Sequence, residues 1–452
     1  MTSQSGAHAA VHSVAHAAVQ AARRETPQNM PKKLYQMSIE ERLSHLVSND
    51  VLSRDVADAY LASVVDDSTS RMSENVIGEL VSPIGIVESI EVNGERCTVP
   101  MTTEEPSVVA AANHGAKMAV SGFIATSHRD GIYGQILLDA PRTGMKPSDF
   151  NWQQLNDVIP DLIRLVTQRF DNLSKRGGGL VSIETHEHGM SCDMLIKVNT
   201  AQAMGANIVN SILECLVQEI ERVLPGLNAI MAIVSNYPSQ LVDVESRIPF
   251  AQLAKTESAG RSIARNIDRI AHFAEHNAYR AVTNNKGIMN GVDAVIAACG
   301  NDTRAVEAAC HQLAALSGQY LPLSHWRANE DSQELVGTMT LALPIGAVGG
   351  AIASRPAIRR NMELMRKPDV RRLSELVASV GLANNLAALH ALAGEGIQHG
   401  HMRLQAVQTA VAVGANDEEI AQLTARMVAR SDYSQSWAAD ELKRLRDAPD
   451  AQ

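Results

Sequence analysis

The stretch NNKGIMNGVDAVIAACGND, residues 284–302, carries Lys286 near one end, Asp302 at the other and Asn290 inside an otherwise apolar run. An ammonium beside Ile288 and Met289 is expected to be partly buried, and a buried cation needs a carboxylate or a developing anion next to it. Asp302, following Gly300, is a candidate partner. One unbroken helix over 286–302 would hold the two about 24 Å apart, so pairing requires a non-helical segment or a second subunit. A further acid pair, Glu104-Glu105, precedes Pro106 and Ser107. Acids there also suit the positive end of a helix dipole, so residue types alone leave their role open.

Histidines occur in three places. His8, His12 and His16 share one stripe of an Ala-rich tail without an accompanying carboxylate, which reads as a solvated segment. In THEHGMSC, His186 and His188 fall on one face of an alternating strand, and with Cys192 they make no full ligand set, so no metal is expected. In GIQHGHM, His399 and His401 flank Gly400, and a histidine at such a bend can serve as a mobile acid. No G-x-G-x-x-G follows a strand and no G-x-x-x-x-G-K-[ST] occurs, which argues against a Rossmann site or a P-loop. AMGAN, residues 203–207, opens a helix with Gly205 and offers backbone amides to a phosphate.

The elements that must position these groups follow from patterning. A chain of 452 residues exceeds one compact core, so two or three domains are expected. Its net charge of −10 and scattered basic residues exclude a general nucleic-acid binder. Five separated cysteines with no Cys-x-x-Cys fit a reducing cytoplasm. The uncharged run 335–354 is interrupted by Pro344, Gly346, Gly349 and Gly350, so it reads as a buried strand plus a Gly-rich loop and not as a membrane span. The N-terminus has no secretory pattern.

Ser38 with Glu41 caps one helix, and another covers 53–65. GIVESIEVNGERCTVPM reads as a hairpin about Asn93-Gly94. A helix opened by Pro106 follows, with Pro106 in its first turn. Between about 130 and 236 the order strand–helix–strand–strand–helix–strand indicates an inserted α+β domain. From 237 to 318 the pattern is read as helical, then a strand begins near 334 and helices follow.

Seven of these pieces occur in the order found in one family. ENVIG (74–78), VPMTTEEPSVVAA (99–111), AMGANIVN (203–210), YRAVTNNKGIMNG (279–291), ACGNDTRAVEA (298–308), PIGAVGG (344–350) and GEGIQHGHM (394–402) resemble 3-hydroxy-3-methylglutaryl-coenzyme A reductase of the soluble bacterial class II, from about residue 33 to about 435. The resemblance implies an α+β fold. A large, mainly helical substrate-binding and dimerisation domain would span 33–129 and 237–393. An inserted ferredoxin-like domain, 130–236, would bind the nicotinamide cofactor, and 394–452 would form a mobile helical flap after the tail, 1–32.

It further implies a cytoplasmic homodimer, or a higher multiple of dimers, whose sites lie between subunits. The enzyme would interconvert 3-hydroxy-3-methylglutaryl-CoA and mevalonate plus CoA by two hydride transfers with NAD or NADP, without a metal. Carried over by position, Glu105, Lys286, Asp302 and His401 would be catalytic. Lys286 would stabilise the oxyanion and, with Glu105, supply a proton; Asp302 would hold the lysine charged and couple it to Glu105, whose pKa must rise; His401 would protonate the departing thiolate. Ser107, Arg280 and Asn290 would grip the hydroxymethylglutaryl group, the Arg through a bidentate contact to its carboxylate. Gln202, Met204, Gly205 and Asn207 would form the cofactor loop, with Gln202 standing where the family usually has Asp. An acid at Asp171, or the residue before it, Phe170, would set the cofactor preference, and Asp171 leans it towards NAD. Two other readings are a non-catalytic homologue that binds coenzyme A esters, and an acyltransferase with Cys310-His311 as nucleophile and base.

Overall fold

The structure, a computed structural model, describes residues 32–64, 72–140, 151–394 and 397–447, with the side chains of 351 and 397–404 outside the description. The His8/His12/His16 tail lies outside it as well. The chain divides into two compact units at Ser82/Pro83.

In the first unit, helix α1 (Ile39–Ser48) starts at a capping box formed by Ser38 and Glu41, and α2 (Arg54–Ala62) starts at Ser53. Ile39, Leu43 and Ala57 bury their side chains together, with Val76 and Ile77 of ENVIG packed against them. Arg42 is buried because its guanidinium donates to the carbonyls of Leu34 and Val76, at 2.9 and 2.8 Å.

The second unit begins with β1 (Ile84–Val92) and β2 (Glu95–Thr102), joined at Asn93 and Gly94 with φ of 54° and 79°. Two consecutive left-handed residues make the tight hairpin that Asn-Gly favours. Helix α3 (Val108–Met118) follows, capped by Ser107 at φ 73°. Pro106 therefore precedes the cap and does not occupy the first turn as expected, because the left-handed bend at Ser107 sets the entry angle.

Strands β3 (Phe123–Ser127) and β4 (Ile132–Asp139) lead to α4 (Gln153–Arg169), the short α5 (Asp171–Ser174), β5 (Gly179–His188), β6 (Ser191–Asn199), α6 (Ala206–Val223) and β7 (Asn228–Val234). After these come β8 (Leu241–Pro249), α7 (Glu257–Glu275), α8 (Ala278–Ala298), α9 (Thr303–Ala315), β9 (Ser324–Asn329) and β10 (Glu334–Ala342). The remainder is helical: α10 (Gly350–Ser354), α11 (Pro356–Leu364), α12 (Val370–Ala393), α13 (Ile397–Ala412), α14 (Asp417–Arg430) and α15 (Gln435–Asp447).

One sheet has the order β2-β1-β3-β8-β10-β9, the other β5-β6-β4-β7. β8 corrects the helical reading of 237–318. Its inward residues Val242, Val244, Ser246 and Ile248 alternate with outward Asp243, Glu245 and Arg247, the two-residue period of a half-buried strand. The four-stranded sheet is antiparallel throughout and carries α4 and α6. Ile136, Leu138, Met194, Ile196, Val209 and Leu213 make its core.

The large core forms around α12, the one described helix long and apolar enough to cross a membrane. Here it is enclosed by protein, against α3 and α8. Gly115 of α3 has no room for a side chain, since a Cβ there would lie 1.9 Å from the Ala383 carbonyl oxygen. Between α8 and α12 lies a buried amide cluster. Asn385 Nδ2 donates to Asn284 Oδ1 at 3.0 Å, and Asn385 Oδ1 accepts from Ser324 Oγ and Trp326 Nε1 at 2.9 and 2.8 Å. Asn384 Nδ2 donates to the Gly287 carbonyl at 2.8 Å, and Asn285 is bonded to the backbone of Leu321 and Leu323. The residues on both sides of Lys286 are thus tied to the core. Helices α13–α15 enclose a separate small core of Ala406, Ala410, Leu423, Met427, Ala438 and Leu442.

Candidate functional site

Glu105 and Lys286 come from distant parts of the chain and meet. Glu105 sits in the turn between β2 and α3, its N–H donating to Thr103 Oγ1 at 3.1 Å. Lys286 projects from α8, where Asn284, Asn285, Ile288 and Met289 face inward and position 286 faces out. Lys286 Nζ donates to Glu105 Oε2 at 2.9 Å. The lysine side chain is 60% exposed, which corrects the expectation of partial burial. An ion pair that open contributes about 0–1 kcal/mol, too little to make stability its reason.

Asp302 is not the partner of Lys286 within one chain. α8 runs unbroken to Ala298, so the helix alone carries the backbone about 18 Å beyond residue 286 before the turn at Gly300. Asp302 caps α9, accepting from the N–H groups of Arg304 and Ala305 at 3.0 and 3.3 Å and from Arg304 Nε at 3.3 Å. Just before it, Asn301 exchanges two hydrogen bonds with the backbone of Gly346, at 3.0 and 2.8 Å, tying ACGND to PIGAVGG.

Arg280 lies in the first turn of α8, whose cap Asn277 accepts from its backbone N–H at 3.0 Å. Its Nε is buried without a partner among the described residues, and burial lowers the guanidinium pKa. Such a group is prepared for an incoming anion. Asn290 is half-buried one turn beyond Lys286, and residues four apart share a helix face. Ser107 holds the left-handed bend beside Glu105.

The AMGAN loop is a close backbone contact. Gly205 has φ 96°, and a Cβ on it would lie 2.2 Å from Thr200 Cγ2, so only glycine fits at the N-terminus of α6. A Cβ on Gly346 would come within 2.3 Å of the Met204 nitrogen, which packs PIGAVGG onto this loop. Gln202 accepts from Val370 N–H through Oε1 and from Ala347 N–H through its carbonyl, both at 2.8 Å, so its amide satisfies the first turn of α12. Beside it is a cavity of about 470 Å³ lined by Gln202, Val348, Arg359, Lys367 and Asp369. Arg359 and Lys367 escaped the sequence reading, since neither belongs to a recognisable motif. Asn207 is exposed on α6. Phe170 and Asp171 meet where α4 ends and α5 begins, with Asp171 paired to Lys175. His399 and His401 fall in α13, where the side chains lie outside the described residues.

A family model, hydroxymethylglutaryl-coenzyme A reductase, matches residues 38–406. The chain belongs to this family. The 3-hydroxy-3-methylglutaryl-coenzyme A reductase of Archaeoglobus fulgidus is 34% identical over 426 residues, covering 91% of this chain and 94% of the relative. The probable reductase of Borreliella burgdorferi is 34% identical over 399 residues, 86% and 90% of the two chains. Among solved structures, the class II reductase from Streptococcus pneumoniae bound to NADPH in open conformations is similar at TM-score 0.68 and 37% identity, covering 91% of this chain and all of that one (100%).

A reductase needs no thiol nucleophile, and Cys310, the cysteine beside a histidine, is unsuited to be one. Cys310 is buried in α9, burial pushes its thiol up to about 12, and its sulfur contacts the Ala342 carbonyl. His311 instead bridges Glu307 and Tyr320, both at 2.6 Å. His186 and His188 are exposed on β5 while Cys192 is buried on β6, so these three do not converge. The sequence reading missed Asp293 of α8, whose carboxyl is raised to about 8 by burial and by the neighbouring Glu307. Two acids fourteen positions apart across a helix–turn–helix leave no motif to find.

Proposed function

We propose that this chain interconverts 3-hydroxy-3-methylglutaryl-CoA and mevalonate plus CoA. The observation that carries the reading is the 2.9 Å contact of Lys286 with Glu105, set on the face of α8 that also presents Asn290. Reduction of a thioester to an alcohol takes two hydrides and two protons and releases a thiol. When bound, a nicotinamide cofactor supplies the hydride. Lys286 stabilises the oxyanion at the substrate carbonyl, and with Glu105 delivers the proton that completes the alcohol. His401 protonates the coenzyme A thiolate as the carbon–sulfur bond breaks, from a C-terminal helical segment that closes over the site. Arg280, with its buried unpartnered Nε, takes the free carboxylate of the substrate, and Ser107 and Asn290 hold the rest.

The β-α-β-β-α-β segment with strand order β7-β4-β6-β5 is read as a ferredoxin-like cofactor domain. Its loop Gln202, Met204, Gly205 and Asn207 suits a phosphate group, with the α6 amides open at Gly205. Asp171 would disfavour a ribose 2′-phosphate and so favour NAD, whereas the pneumococcal reductase was solved with NADPH. A second copy of the chain brings its own Asp302 to Lys286, which resolves the separation along α8 and makes the working unit a dimer.

Lys286→Ala should lower turnover by about 10³-fold or more while leaving thermal unfolding unchanged. Near-normal rates would refute the role. Nicotinamide fluorescence separates the reading from a non-catalytic homologue binding coenzyme A esters, since that homologue would bind neither NADH nor NADPH.

A further inference from the structure

We propose that the C-terminal end of α7 is a binding site for a divalent transition-metal ion of the zinc type, held by His272, Glu275 and His276. Among the described residues these three form the one group whose nitrogen and carboxylate donors all lie within 4.8 Å of one another. His272 and His276 are four apart and share a helix face, with ring centroids 4.6 Å apart. Two imidazoles and one carboxylate make the donor set of a zinc site that keeps a position open to water. Imidazole nitrogen selects zinc, nickel or copper over magnesium or calcium.

The ligands are held in place by neighbours. His276 Nδ1 lies 3.0 Å from the His272 carbonyl; donating there leaves the Nε2 lone pair free for a metal. Glu275 Oε1 accepts from His325 Nδ1 at 2.9 Å and from Arg327 at 2.6 Å, and Oε2 accepts from Arg327 at 2.7 Å. The positive charge of Arg327 works against a second cation, but Asp268, 3.9 Å from its guanidinium, offsets it. The negative end of the α7 dipole adds further attraction. Both histidines are exposed, so an ion reaches them from solvent.

The location gives the site a consequence. His276 ends α7, and the next residue, Asn277, caps α8 through Arg280 N–H. A bound ion would clamp the corner from which the helix bearing Arg280 and Lys286 departs.

The test is a calorimetric titration of Zn²⁺ into the full chain carrying His8→Ala, His12→Ala and His16→Ala, so that the tail histidines cannot contribute. One saturable equivalent is expected, with a higher Tm in its presence and no such binding of Mg²⁺. Adding His272→Ala and His276→Ala should remove it, and His276→Gln alone, which keeps a polar surface, should weaken it. His325→Ala, which removes one of the hydrogen bonds that orient the carboxylate, should weaken it by about tenfold. No saturable binding to the parent, or unchanged stoichiometry and affinity in the double variant, would overturn the proposal.

Discussion

At the scale of single residues, reactivity here is set by what lies behind each group. Cys192 is raised to about 11 by burial, and Cys299 and Cys310 to about 12. Cys215 is also buried, whereas Cys97 is half-exposed beside Arg372. Iodoacetamide at about pH 8 should therefore label Cys97 alone in the folded chain, as read by intact mass; two or more adducts would contradict the burial argument. Asp293 titrates in a physiological window. Its folded carboxyl, at about 8 against an ordinary 3.8, holds the proton more tightly than the unfolded chain does. Its contribution to stability is therefore full below about pH 4 and is lost as pH rises towards about 8. Asp293→Asn, which keeps the neutral form, should raise Tm by a few degrees at about pH 8.5 and by clearly less at about pH 5. An equal shift at both pH values would mean that the carboxyl does not titrate as described.

At the scale of elements, close helix contacts do the positioning. Gly115→Ala would drive a methyl into the Ala383 carbonyl and separate α3 from α12, with an expected loss of about 3 kcal/mol in denaturant unfolding. A loss below about 1 kcal/mol would show that the two helices part easily. This scale also marks what the sequence made legible. The Asn93-Gly94 hairpin was readable because two left-handed residues in a row leave few alternatives. The capping box at Ser38 and Glu41 is equally local. β8 was not, since Ser246 at an inward position interrupts the apolar series and leaves only Val242, Val244 and Ile248 to carry the alternation of a short strand. In the site, Glu105 and Lys286 could be nominated from motifs, but their contact depends on folding across 181 positions. The reach of α8, which decides where Asp302 can act, is a three-dimensional fact. The hold of Gln202 on the start of α12 was invisible because Val370 lies 168 positions away.

At the scale of the whole molecule, the proposal that a second copy completes the active site makes a quantitative forecast. Lys286→Ala and Asp302→Ala proteins, each inactive, should recover activity when mixed and allowed to exchange subunits. Random pairing makes half the dimers mixed, each with one intact site of two, so recovery should approach about one quarter of wild type. No recovery despite exchange, followed by mass, would place both residues in one subunit's site. The amide cluster between α8 and α12 has a different consequence, one for folding fidelity. Sliding α8 along α12 by a turn would still match many small apolar surfaces in this aromatic-poor core. It would also strand Asn284, Asn384 and Asn385 without partners, at a cost of about 1–3 kcal/mol each. The buried asparagines thus act as a proofreader, rejecting packings that burial alone would accept.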